Sequence, residues 1–146
     1  YNNVLNCCLM VGDQMKFFLR NGFISPYIDI ENVIVIDDSH FAYMNTDFID
    51  IKEEGYIEIN KIYEKNMLMG HELFNLDTLP GRIHMNDWIY SLGLLGVYLL
   101  TNADDLQNKS HEKYSQMIEM IQYTKLYFML LRCLNKKVNE RIFLYI

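Results

Sequence analysis

Apolar residues recur at three- and four-residue steps through residues 4–20, where Val4, Cys8, Val11, Met15, Phe18 and Leu19 share one stripe. That spacing predicts an amphipathic helix with one face on a core. Asn21-Gly22 supplies its stop, since glycine takes a left-handed turn without a Cβ clash. The period then changes. Residues 32–36 (NVIVI) form a β-branched run, Asp37-Asp38-Ser39 is turn-forming, and 41–44 is a second short apolar run, which together predict a small hairpin. Residues 46–66 scatter apolar positions among acids and lysines, the pattern of a loop-rich segment with local strand pairing that turns at Gly55. Residues 87–101 are apolar nearly all round, as in a helix buried on every side, with Asn86 or Asp87 at its cap. Helical patterns return at 111–123 and 124–135, and the tail is apolar again at Ile142. The expected fold is mainly α with a small β-hairpin (α+β), one unit spanning residues 1–146 without internal repeats.

Composition agrees with one core: 51% of residues are hydrophobic and 22% charged, the balance of a single globular unit. A net charge of −6 and no basic run longer than Lys136-Lys137 argue against a nucleic-acid surface. The apolar stretch around 88–100 is interrupted by Ser91, Gly93 and Gly96 and falls short of the roughly 20 residues that span a bilayer, so no membrane span is expected. Cys7, Cys8 and Cys133 sit inside apolar helical patterns without metal-ligand spacing and read as core residues. His40, His71, His84 and His111 show no ligand spacing either. Tyr1 opens directly into the first helical pattern, so a segment upstream is expected.

Four stretches taken in order carry a resemblance. Residues 21–32 (NGFISPYIDIEN) followed by Val33-Ile34-Val35 resemble the catalytic loop HRDxxxxN and its apolar strand. Met69-Gly70-His71-Glu72 is similar to the Ala-Pro-Glu element that closes an activation segment. Asp87-Trp88-Ile89-Tyr90-Ser91-Leu92-Gly93 resembles the start of a central buried helix, D-x-W/Y-S-L-G, with one extra residue before Ser91. Residues 130–142 look like the late helix and turn that end in an arginine, here Arg141. Together they resemble the C-terminal lobe of eukaryotic protein kinases over nearly the whole chain. The resemblance implies an N-terminal lobe upstream bearing a Gly-rich loop and a lysine. It also implies structural roles for Glu72, Asp87 and Arg141, with Glu72 and Arg141 paired.

The departures from the family bear on chemistry. Phosphoryl transfer in kinases uses an aspartate to accept the hydroxyl proton, with an Asn and an Asp on magnesium. Ser25, Pro26 and Tyr27 stand at the HRD positions, and a phenol with a pKa of about 10 is a poor base. Asp29, two residues on, is the one substitute base. Asn32 and Asp47 match the magnesium-binding positions, Asp47 within a damaged DFG (Asp47-Phe48-Ile49). The resemblance therefore makes ATP and magnesium the cofactors to consider, without fixing whether either binds. It implies a degenerate, pseudokinase-type domain serving as a scaffold or allosteric module for a protein partner. The loop context is also similar to that of apicomplexan rhoptry-type pseudokinases. An atypical active Ser/Thr kinase using Asp29 is the alternative. A third reading, a helix-rich interaction module outside the family, predicts neither a hairpin at 33–44 nor a Glu72–Arg141 contact.

Overall fold

A computed structural model describes residues 1–144; the last two residues of the expected 1–146 unit lie outside the described residues. Helix α1 (Asn2–Arg20) buries Cys7, Cys8, Val11 and Met15 and ends at Asn21, with Gly22 at φ 84°. Only glycine holds that angle without strain, and the chain turns at once into β1 (Phe23–Ile24). A single 3₁₀ turn at Ile30–Asn32 leads into β2 (Val33–Asp37), which pairs with β3 (His40–Tyr43) as an antiparallel hairpin.

Strand β4 (Ile49–Asp50) pairs with β1, and β5 (Tyr56–Ile59) pairs with β6 (Gly81–His84), with Ile57 opposite Ile83. The described residues thus hold three two-stranded ladders; one hairpin and local strand pairing within residues 46–66 are expected, but β4 and β5 of that segment pair outside it, with β1 and β6. β6 was unforeseen because four residues supply too short a pattern to declare a strand, and its partner lies more than twenty positions upstream. Ile57, Ile59 and Ile83 face the core while Glu58 and Arg82 face solvent, the two-residue alternation of a sheet with one covered side.

Helix α2 (His71–Phe74) is a single turn, and α3 (Asp87–Thr101) is buried from Asp87 to Val97. α3 packs against α1, α2, α4 (His111–Met117) and α5 (Lys125–Cys133). Its glycines set the spacing of this bundle. A Cβ at Gly96 would lie 2.3 Å from the Leu130 side chain and one at Gly93 2.7 Å from Leu134, so the two positions let α5 approach the α3 backbone. The helix expected at 111–123 stops earlier, at Met117, and a 3₁₀ turn at Glu119–Ile121 follows. The backbone leaves helical geometry at Ile118 (φ −108°, ψ 22°), and α5 begins separately at Thr124, which is extended (ψ 160°) and whose Oγ1 accepts the Tyr127 N–H. An N-cap needs that non-helical geometry, so one helix cannot run through it.

The architecture is α+β. Among the described residues no helix is long and apolar enough to cross a membrane. All three cysteines are buried and free, and burial pushes the thiols of Cys7 and Cys133 up to about 11 and about 12. They remain protonated core groups at neutral pH.

Candidate functional site

The loop after β1 is anchored from behind by polar groups of other elements. Ser25 is fully buried; its Oγ donates to the Tyr27 carbonyl at 2.9 Å, and the Tyr43 hydroxyl donates to the same oxygen at 2.8 Å. Asn45 Nδ2 donates to Ser25 Oγ and, at 3.1 Å, to Tyr43 Oη. On the other side the Ile28 N–H donates to Ser91 Oγ at 2.9 Å, and that hydroxyl donates to the Leu68 carbonyl. Ser91, a small hydroxyl within the buried stretch of α3, thereby joins the loop to the segment before α2. Sequence reasoning gave no role to Ser91, Tyr43 or Asn45. The signal for Ser91 was its polarity within residues 87–101; nothing local marks Tyr43 or Asn45.

These anchors fix the backbone of the loop. Tyr27 is half-buried and meets Tyr63 edge-on at 5.8 Å between ring centres. Burial, followed by the charges of Asp29 and Asp47, pushes its phenol above the ordinary value, so it is neutral across the physiological range. Asp29 Oδ1 accepts the Glu31 N–H at 3.0 Å and caps the 3₁₀ turn.

Asn32 and Asp47 lie on two different clefts that share Phe48 as a wall. Asn32 lines one of about 350 Å³ with Gln14, Phe18 and Tyr43. Asp47 lines another of about 380 Å³ with Asp50, Lys52, Glu58 and Tyr63. Phe48 packs on Phe18 of α1 at 4.6 Å between centres. Asp47 is engaged already: its carboxylate contacts Lys61 Nζ at 2.9 Å, and with burial it raises the Tyr63 phenol. Among the described residues no group of three or more His, Cys, Asp or Glu side chains is arranged to hold a metal ion.

A second constellation is buried beneath α2. Arg141, with a fully buried side chain, donates from Nη1 to Glu72 Oε2 at 2.6 Å and from Nη2 to Glu72 Oε1 at 2.9 Å. The fork joins residues 69 positions apart, in the two-bond geometry that suits guanidinium and carboxylate. Nη1 also faces Asp87 Oδ1 at 3.4 Å, Nε donates to the Asn135 carbonyl at 2.7 Å, and the guanidinium lies 4.7 Å from the centre of the Tyr90 ring.

Asp87 is the corrected element of this group. Its carboxylate does not cap its own helix but accepts the N–H groups of Glu72 and Leu73, each at 3.0 Å, at the start of α2. Asn86 occupies the N-cap position without a side-chain cap, its amide donating instead to the Val138 carbonyl at 3.1 Å. The reason is proximity: a Cβ at Gly70 would lie 2.2 Å from the Asp87 carboxyl carbon. Glycine there lets the first turn of α2 sit directly on Asp87.

One cation faces two carboxylates in this group. Burial and the neighbouring Glu72 raise the Asp87 carboxyl well above the ordinary range, against the opposing pull of its two backbone N–H donors. At Glu72 burial acts upward but is outweighed by hydrogen bonds from Asp87 and Arg141, which hold its carboxyl at about 2.

No model of a known protein family and no curated protein matches the chain.

Proposed function

We propose that the chain is the larger lobe of a kinase-like domain that has lost phosphoryl-transfer chemistry and serves as a scaffold or allosteric module for a protein partner. The observation that carries this reading is the loop at 25–29. It is held by the side chains of Ser25, Tyr43, Asn45 and Ser91, as a positioned loop would be, yet it offers a neutral phenol where proton acceptance needs a carboxylate. The hairpin at 33–43 and the Glu72–Arg141 fork support the same reading; a helix-rich module outside the family predicts neither.

The active-kinase alternative requires Asp29 as base, and Asp29 Oδ1 is held by the Glu31 N–H, which ties that carboxylate to the 3₁₀ turn. Asp47 as a magnesium ligand would first have to leave Lys61. The test is transfer of labelled γ-phosphate from Mg-ATP to generic Ser/Thr substrates by the protein. No transfer above a protein-free control is expected. Magnesium-dependent transfer abolished by Asp47→Ala or Asp29→Ala would overturn the proposal.

A further inference from the structure

The two edges of the β2–β3 hairpin are treated differently by the rest of the molecule. On the β3 side, Gln14 of α1 accepts the Tyr43 N–H at 2.8 Å and donates to the Tyr43 carbonyl at 2.6 Å, while Met10 Sδ accepts the Phe41 N–H at 3.3 Å. That edge is sealed. It also fixes the alternation of the ladder: Tyr43 and Phe41 direct their backbone groups away from β2, so their partners Val33 and Val35 direct theirs away from β3. The Val33 N–H returns to the Ile30 carbonyl of the preceding turn. The Val33 carbonyl and both backbone groups of Val35 face outward on an uncovered edge.

The side chains along that edge are apolar and exposed on both faces of the strand: Ile34 by 42%, Val35 by 56% and Ile36 by 67%. Two-stranded hairpins gain stability by adding a strand, and an exposed β-branched edge is the usual template for it. Charge says which strand fits. From Arg20 to Lys52 the chain has no lysine or arginine between, but carries Asp29, Glu31, Asp37, Asp38, Asp47 and Asp50. Glu31 stands at one end of β2 and Asp37-Asp38 at the other; the single group there able to carry positive charge, His40, is paired with Asp37. A second copy pairing antiparallel would bring the Asp37 pair of each chain toward Glu31 of the other, between molecules of net charge −6.

We propose that the outer edge of β2 docks an extended apolar segment of a partner protein, flanked by lysine or arginine, as a third strand of the hairpin. This would give the scaffold role a partner of defined chemistry, but it stands on the edge itself and not on the kinase-like reading. The presence or absence of phosphoryl transfer does not bear on it.

The test uses two labelled peptides with the same alternating valine-threonine core, one ending in lysine pairs and one in glutamate pairs. Their binding to the protein is read by fluorescence anisotropy, and the Val35 amide by hydrogen exchange. The lysine-flanked peptide is expected to bind about tenfold or more tightly than the other, losing affinity as salt rises, since rim charges govern such selectivity. The Val35 amide should gain protection on binding. Val35→Pro removes the outward N–H without touching a bond to β3 and should abolish binding. Glu31→Lys with Asp38→Lys, both at exposed sites, should invert the preference toward the glutamate-flanked peptide. Equal affinity for both peptides, binding without protection of Val35, or no binding by either would overturn the proposal. So would concentration-dependent self-association that protects Val35, which would make a second copy the occupant.

Discussion

Replacing Arg141 by Met tests the buried cluster most directly. Arg141 and Asp87 have fully buried side chains and that of Glu72 is 29% exposed. Met keeps much of the volume while removing the charge, so two carboxylates face each other without a cation and the Asn135 carbonyl loses its donor. Breaking a buried ion pair by deleting one partner costs roughly 3–5 kcal/mol. With a urea m-value of about 2 kcal/mol per molar, the unfolding midpoint should fall by roughly 1.5–2.5 M. The loss should shrink when the second carboxylate is neutralised. The double change Arg141→Met with Glu72→Gln should be less damaging than the two single changes summed, by about 1 kcal/mol or more. Arg141→Lys, which keeps the charge but not the fork, should fall between wild type and Arg141→Met. A midpoint within about 0.5 M of wild type for Arg141→Met, or strict additivity in the cycle, would show that the cluster does not hold α2 to the C-terminal turn as argued.

Other changes probe the remaining joints. Gly70→Ala places a methyl group 2.2 Å from the Asp87 carboxyl carbon and 2.4 Å from its backbone oxygen; because backbone must move, a loss of at least about 1–3 kcal/mol is expected in thermal or urea unfolding. Ser91→Ala leaves the buried Ile28 N–H without an acceptor, so stability should drop by about 1–3 kcal/mol and the Ile28 amide should exchange faster. Acid titration should show the Glu72 contribution. Its carboxyl lies at about 2 in the fold against 4.5 ordinarily, so the native state binds fewer protons there. The resulting stabilisation is present above pH 4.5 and is lost as pH falls toward 2. Urea midpoints measured across that window should flatten in Glu72→Gln. Asp87 acts in the opposite sense, its raised carboxyl favouring the fold below 3.8 and less so as pH rises; Asp87→Asn should remove that decline and leave the acid limb.

What was legible in the sequence followed the reach of each signal. Periodicity extends over many residues within one segment, so α1, the buried α3 and the β2–β3 hairpin could be read from apolar spacing alone, because burying one face is what makes such elements stable. The burial of the three cysteines came from the same patterns. Pairings between distant segments carry no local period. β1 with β4 and β5 with β6 are formed by two- and four-residue strands that become strands only when a partner supplies their hydrogen bonds. The Glu72–Arg141 partnership was accessible only through the family resemblance, whereas Asp87 looked like a cap for its own helix until the close approach at Gly70 turned it toward α2. At the loop, only the family resemblance sets Tyr27 against a catalytic carboxylate; nothing in the residue itself does. That Asp29 is spent on a cap, Asp47 on Lys61, and Ser91 on bridging Ile28 to Leu68 was decided by the tertiary structure, because a side chain's role depends on the nearest unsatisfied polar group, and folding chooses that neighbour.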